Sequence, residues 1–496
     1  MPSKEARLVE CKREMRTDEL SAILDSTVKY DSVNKVITFL AMLLAQTDED
    51  QFNVAAQGWS TIGKSYLPLE ISAYFPERER REYAGSSPTS FFHDVGEIVP
   101  ISRVAKIVPG VFDAKEIADR SRRITLVDLE GKILIFIDQP SWQLMEKLRA
   151  LLSHDRKILR FNITDRSGKG GLRSKTVVVK GYPVAIFCTA SETADLQDRT
   201  RVLILIPETT PEKLLASLRL LAQRVGNRKK FRAWLQSHPE RRQLMKRIKL
   251  IRATGIRDVI IPDTEAVLDR YLQRAGRLTP RTQRDFPRFL ALIKGCALFN
   301  VFNRVRQDDH TILANGKDVD AAFALYDKVA EANELGLSTE SWKVYSEILQ
   351  PMFANGTCIH KQAVLTRFFQ LYGRTLPSER LHRVILPELE AVGLVQQVPN
   401  PEDARESLIV SAKETEQTKE SKEPPATDGE IEAATAWLRQ RPFETAYYSE
   451  FTKNARLTVI EVMLEKKIIA VVYVQLPGPD ARIIGIVYLV GNPQAT

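Results

Sequence analysis

The sequence predicts an α/β chain, a parallel sheet flanked by helices, followed by helical and smaller α+β units. Three observations predict it. The stretch Gly58-Trp59-Ser60-Thr61-Ile62-Gly63-Lys64-Ser65 lies between a short apolar run at residues 52–56 and helical spacing at Leu67, Ile71 and Tyr74. Residues 132–138 are a continuous apolar run ending in Asp138, as in a strand buried on both faces. From residue 51 to 210 short β-rich runs alternate with helical stretches, the pattern of a parallel sheet with helical crossovers.

The first stretch reads G-x-x-x-x-G-K-S, the phosphate-cradling loop of P-loop nucleoside triphosphatases. Gly58 and Gly63 let the backbone turn tightly, so that successive N–H groups, those of Ser60 and Thr61 among them, point at phosphate oxygens. Lys64 would reach the β- and γ-phosphates of ATP, and Ser65 would offer its hydroxyl to Mg²⁺. Pro68 falls in the first turn of the following helix, where proline is tolerated. Asp138 would hold the same Mg²⁺ through water. Gln139-Pro140 follows it, where many hydrolysing ATPases carry Glu. Glutamine orients a water but cannot accept its proton. Either the base is Asp138 itself or Glu146, or hydrolysis is slow.

The chain has 496 residues, enough for two to four domains, and is 44% hydrophobic and 27% charged, an ordinary soluble composition. The longest apolar stretch, residues 36–45, is about ten residues, short of a membrane span. Residues 1–16 are charged and lack the apolar centre of a signal peptide. The four cysteines, Cys11, Cys188, Cys296 and Cys358, are far apart, and the six histidines are scattered. Neither set has zinc or disulfide spacing, which leaves Mg²⁺ as the expected metal and the cytoplasm as the expected compartment. The net charge is +9. Residues 219–257 hold thirteen Lys or Arg against Glu240 alone, so this segment carries the whole basic excess. A one-signed block points to a polyanion, nucleic acid first.

In chain order, residues 1–50 read as helices packing on the core, with Val33, Val36, Ile37, Leu40, Leu43 and Leu44 on helical spacing. Residues 51–210 are the α/β domain. Within it, residues 157–165 and 173–180 read as a β-hairpin with a glycine-rich tip, and Arg166, Lys169, Arg173 and Lys175 at or near that tip could track phosphates. Residues 182–189 are a further buried strand, ending in Thr189. Asp198-Arg199-Thr200-Arg201 then precedes the strand at residues 202–207.

This order of parts resembles the AAA+ ATPase core. The hairpin is similar to the pre-sensor-1 hairpin of the branch containing minichromosome-maintenance and superfamily 3 helicases. The resemblance covers about residues 30–335. It implies Thr189 as the sensor-1 residue, with Ser191 as alternative, and Arg199 as the arginine finger offered to a neighbour's nucleotide, with Arg201 as fallback. It also implies a homo-oligomeric ring, commonly a hexamer. Residues 211–337 read as a basic helical segment and a helical lid, in which Arg284 or Arg288 would be the sensor-2 residue reaching back to the γ-phosphate.

Residues 338–410 read as three helices and a two-stranded wing, which resembles a winged helix-turn-helix. Its third helix, residues 377–391, would read DNA with Ser378, Arg380, His382 and Arg383, and Arg405 would sit on the wing. Residues 411–428 lack an apolar pattern and read as a linker. Residues 429–496 read as helices followed by a hairpin at residues 468–490, a second winged helix in outline.

The function these readings imply is an ATP-dependent, ring-forming DNA translocase or helicase, acting in DNA replication, of a plasmid or mobile element for example. The alternative is an ATP-switched initiator, loader or transposition regulator with little unwinding, favoured by Gln139. A third reading is a defence-related ATPase whose C-terminal module binds protein.

Overall fold

A computed structural model describes residues 9–58, 63–85, 91–92, 96–119, 121–165, 173–189, 201–275, 278, 281–354, 358–400, 407–412, 444–452, 455–464, 467–475 and 482–488. The chain divides into two units, Met1–Tyr345 and Ser346–Thr496.

The first unit opens with helices α1 (Thr17–Leu24) and α2 (Ser32–Leu43). α2 is buried almost all round, which makes it a central helix of the core rather than an edge decoration. Asp31, just before it, has a left-handed φ of 48°. Its carboxylate accepts from the Glu208 backbone N–H at 2.8 Å and pairs with Lys213, both side chains being buried. That contact ties the amino-terminal helices to the chain leaving the central sheet.

The remaining elements of the α/β part are β1 (Val54–Gln57), α3 (Tyr66–Ser72), β2 (Arg80–Tyr83), β3 (Glu97–Pro100), β4 (Arg123–Asp128), β5 (Ile133–Phe136), α4 (Trp142–Leu152), β6 (Ile158–Asp165), β7 (Arg173–Lys180), β8 (Val184–Thr189) and β9 (Leu203–Leu205). Among the described residues, five strands form a sheet in the order β2-β5-β8-β1-β9 with every pairing parallel. β1, β5 and β9 are buried throughout, as their unbroken apolar runs require. Because β8 lies between β1 and β5, the chain segments that leave those three strands emerge side by side at one edge.

The hairpin read from residues 157–180 is there as β6 and β7, paired from Ile158–Lys180 to Asp165–Arg173. It is not free-standing. β7 also runs parallel to β4, giving a second sheet in the order β3-β4-β7-β6. Val177 and Val179 pack with Leu134 and Phe136 of the central sheet, while Val178 packs with Ile124 and Leu126. The base of the hairpin is therefore fixed on both faces. Its tip, with Arg166 and Lys169, lies outside the described residues.

The helical part comprises α5 (Pro211–Gly226), α6 (Arg228–Ser237), α7 (Pro239–Ala253), β10 (Asp258–Ile260), α8 (Thr264–Ala275), α9 (Thr282–Phe299), β11 (Thr311–Leu313) and α10 (Gly316–Glu334). α9 buries Phe289, Leu292, Ile293, Ala297 and Leu298. α10 starts in a capping box: the Asn315 side chain accepts from the Lys317 and Asp318 N–H groups, and the Asp318 carboxylate accepts from the Asn315 N–H at 3.0 Å.

The basic block divides between structural and exposed cations. Arg247 is fully buried, and its guanidinium donates to the carbonyls of Phe299, Cys11 and Arg13 and to Asn300 Oδ1. Arg252 donates to Met42 O, Leu43 O, Gln46 Oε1 and Glu79. Arg241 lies over the Tyr74 ring at 4.1 Å. Arg224 pairs with Glu70 at 2.5 Å. Part of the block therefore fastens helix ends and the N-terminal segment to one another, a role charge counting cannot see. Arg219, Arg228, Lys229, Lys230, Arg232, Arg242 and Lys249 stay exposed.

α11 (Thr339–Lys343) belongs to the first unit, because the second unit starts at Ser346, eight residues beyond the start expected at residue 338. Lys343 is buried and donates to Pro207 O and Thr209 Oγ1. The second unit carries β12 (Cys358–His360), α12 (Lys361–Tyr372), a helical stretch at residues 378–391, β13 (Val395–Pro399) and β14 (Ser407–Ser411). The strands pair antiparallel in the order β12-β14-β13. The helical stretch widens to a π turn at Leu381–Ile385. Pro387 follows; it lacks an N–H and its ring crowds the carbonyl four residues back. The same widening at Val344–Leu349 precedes Pro351.

Near the C-terminus the structure departs from the sequence reading. The hairpin expected at residues 468–490 is there as β17 (Lys467–Gln475) and β18 (Arg482–Tyr488), but where helices were expected before it, residues 444–464 form β15 (Glu444–Thr452) and β16 (Ala455–Leu464), so the four strands make an antiparallel meander; residues 429–443 lie outside the described residues. The second winged helix is not what these residues build. Thr445, Tyr447, Tyr448, Phe451, Thr458, Val459, Ile460 and Val462 supply the β-branched and aromatic content that favours strands.

Candidate active site

β1 ends at Gln57, and the backbone turns at Gly58 (φ 153°) and Gly63 (φ 90°) before α3 begins at Tyr66. Both values are conformations that residues with a Cβ rarely adopt. Residues 59–62, with Ser60 and Thr61, lie outside the described residues. Lys64 and Ser65 are half-buried at the start of α3. Burial pulls the Lys64 ammonium below the usual lysine range.

Asp138 is exposed two residues past β5. Cys188, the penultimate residue of β8, reports its neighbourhood. Burial pushes the thiol up to about 12, while Lys64 lowers it and Asp138 raises it. Lys64 and Asp138 therefore flank the same strand end, one cation and one anion around the carboxyl termini of β1, β8 and β5. Thr189 stands opposite Gln57 in the β1–β8 register, at that edge; its side chain lies outside the description. Gln139 is exposed beside Asp138, and Glu146 is exposed on α4. Sequence reasoning missed a further contributor. Thr339 of α11 donates its hydroxyl to Gln57 Oε1 at 3.3 Å, placing α11 against the strand that feeds the glycine loop. No local pattern in residues 338–343 signals this, since the contact spans 282 residues.

The opposite edge of the sheet carries a second cluster. A cavity of 470 Å³ is lined by the residues entering β1 (Asp50 and Asn53 among them), the end of α4 with Ser153 and His154, and Arg201, Arg284, Arg288 and Lys294. Arg201 donates its Nε–H to Ser153 Oγ at 2.7 Å. Arg288 donates to the fully buried Asp285 carboxylate at 2.6 Å, and burial pulls its guanidinium down to about 10, so it stays charged. His154, at a φ of 57°, stacks on Tyr182, and burial holds it neutral with its pKa down at about 4. Arg199 lies outside the described residues.

Arg284 and Arg288, the residues expected to reach the γ-phosphate, line this cavity. α9 packs on α2, and its first turns border the residues that enter β1 and β9, whereas Lys64 follows the carboxyl end of β1.

The DNA-contacting candidates are spread over both units. Lys175 is half-buried on β7 opposite Ile163, and Arg173 begins β7. Lys169 lies outside the described residues. Arg383 is exposed and pairs with Glu379 at 3.1 Å, and Arg380 is half-buried one turn earlier.

No protein-family model matches the chain, and no curated protein matches it. Among solved structures it is similar to a full-length MCM homolog from Methanopyrus kandleri, with a TM-score of 0.36 and 14% identity over 67% of this chain. The similarity spans 63% of that protein, less than two thirds of its length. No helix among the described residues is long and apolar enough to cross a membrane.

Proposed function

We propose that this chain is an ATPase that assembles head to tail into a ring and moves along DNA. One observation carries the reading: a glycine loop with Lys64 and Asp138 at the carboxyl edge of the sheet, and Arg201, Arg284 and Arg288 gathered at the amino edge. Cations on the amino edge cannot serve their own loop. They fit a neighbour's nucleotide, with Arg199 a further candidate finger.

The residues present fit ATP and Mg²⁺. Gly58 and Gly63 would let the loop between them, with Ser60 and Thr61, turn its backbone N–H groups to phosphates. Lys64 would neutralise the β- and γ-phosphates; Ser65 and Asp138 would hold the metal. Mg²⁺, when bound, would supply charge neutralisation for the phosphates. Thr189, between the glycine loop and Asp138, would orient the attacking water. A neighbour's arginine would stabilise the charge that develops on the transferred phosphoryl group. The base of the β6–β7 hairpin is braced by the central sheet, so closure around the nucleotide would move its tip, with Lys169 and Arg173, along a phosphate backbone. The helices and three-stranded sheet of residues 358–411 fit a winged helix, and Arg380 and Arg383 would contact the duplex. Replication of DNA is the process such a hexameric motor fits.

The test is DNA-stimulated ATP hydrolysis with ATP-dependent strand separation, both lost on Lys64→Ala. Nucleotide-dependent assembly without unwinding at any salt concentration would replace the motor with the second reading, an ATP-switched initiator or loader. Gln139 favours that reading, because a glutamine beside Asp138 cannot take the proton of an attacking water.

A further inference from the structure

α5 presents an apolar stripe to solvent. Leu214, Leu218, Leu221 and Val225 follow one another at helical spacing, each about half exposed or more, and Leu215 (50%) flanks them. A contiguous apolar face of this kind marks a partner surface. The helix is held firmly in place. Lys213 pairs with buried Asp31 at one end, and Arg224 pairs with Glu70 on α3 at the other, with its guanidinium over the Tyr66 ring. α3 is the helix that leaves the glycine loop, so the stripe lies beside the carboxyl edge of the sheet.

A receptor of matching chemistry lies beside the separate β10–β11 sheet. Between β10, α8 and the start of α10 is a groove of 370 Å³, with Ile261, Ala266, Val267, Ala314 and Val319 in its lining. Asp263 and Asp320 also line it, with Arg270 bonded to Asp320 at 2.6 Å, and α8 adds exposed Glu265 and Asp269. The stripe has the opposite surround: Arg219 on α5 and Arg228, Lys229, Lys230 and Arg232 on α6, all exposed. Lys294 of the arginine cavity pairs with both Asp50 and Asp258 at the start of β10, and the groove opens past the far end of that three-residue strand, at Ile261.

We infer that the leucine face of α5 docks into the α8–α10 groove of a second copy of this chain, head to tail. Leucines fill the apolar floor, and the cations of α5 and α6 meet the acidic rim. The two surfaces are built by different elements and share no residue, so a copy docked by its helix still offers its own groove, and each added copy brings a new free end. The inference rests on the ring reading and names the surfaces that build it.

Two exposed positions test it, Leu218→Glu on the helix and Ala266→Glu in the groove. The chains are weighed by mass photometry with a non-hydrolysable ATP analogue, and binding of a fluorescent ATP analogue reports an intact fold. The unmodified chain is expected to form a ring. Each variant alone should bind nucleotide yet need about tenfold or more protein to assemble. A mixture of the two should stop at a two-chain complex, since it has one good helix and one good groove. Variants that assemble like the unmodified chain overturn the docking and leave the ring reading standing. An unmodified chain that stays monomeric overturns both. Sedimentation with anionic phosphatidylglycerol vesicles that is lost in Leu218→Glu, with assembly intact, assigns the stripe to a lipid surface and overturns the inference.

Discussion

Arg201 donates its Nε–H to the Ser153 hydroxyl at 2.7 Å, on the sheet edge opposite the one that carries Lys64. The two edges belong to different nucleotide sites if copies stack head to tail. Lys64→Ala and Arg201→Ala should then each lose ATP turnover, the second by about a thousandfold. Mixed in equal amounts, they should regain measurable turnover, because the intact loop of one chain meets the intact arginine of the other. Phosphate release from the two variants and their mixture is the measurement. A mixture as inactive as its parts would place Arg201 outside the reaction.

His154 gives the fold an acid limit. Its imidazole is stacked on Tyr182 and kept neutral by burial, with Arg288 adding to the effect. Its pKa lies at about 4 in the fold. Unfolded, it returns to about 6.5. Protons therefore bind the unfolded chain first as pH falls. Stability is whole above about pH 6.5 and declines towards about pH 4, by at most about 3 kcal/mol, less whatever the adjoining cavity screens. His154→Asn tolerates the left-handed backbone and cannot titrate. Urea midpoints of the two proteins, compared at pH 7.5 and 5, should converge at the lower value; an unchanged gap would mean that His154 takes no part.

The glycine loop and Asp138 were legible because their chemistry is written in neighbouring residues. β1, β5 and β8 were legible because a strand buried on both faces leaves an unbroken apolar run. The arginine edge was not, since Arg201 and Ser153 stand 48 residues apart and meet only when α4 returns along the sheet. Two members of the basic block were illegible for a related reason: Arg247 and Arg252 look like surface charge in the sequence, yet they donate to backbone carbonyl oxygens, Phe299 O and Leu43 O among them. At residues 444–464 the helices expected before the hairpin are strands, in line with their β-branched and aromatic content.

Arg247 should be among the costliest side chains to remove. It is fully buried, and burial brings it down to about 10, which leaves it charged at neutral pH. Its donors satisfy Phe299 O at the end of α9, Asn300 Oδ1, and Cys11 O and Arg13 O in the N-terminal segment. Arg247→Met fills much of the volume but strands those acceptors. The expected loss is about 3–5 kcal/mol, read from urea unfolding. Arg247→Lys should recover only part of it, because one ammonium cannot span the same fork. A loss under about 1 kcal/mol would mean that water replaces the guanidinium without difficulty.

Gln139 offers a direct test of what limits turnover at the proposed site. It is exposed directly after Asp138, where a carboxylate could accept the proton of an attacking water. Gln139→Glu adds that acceptor without changing the length of the side chain. If the missing base limits the reaction, single-turnover hydrolysis should rise by about a hundredfold, with a new ionisation in its pH profile. The exposed setting argues against a large pKa change for the new carboxylate, so the profile should rise near the ordinary glutamate range. An unchanged rate would move the base elsewhere, Glu146 on α4 being the next to replace. Lys64→Ala combined with Gln139→Glu should be inactive, which separates a gain at this site from a contaminating hydrolase.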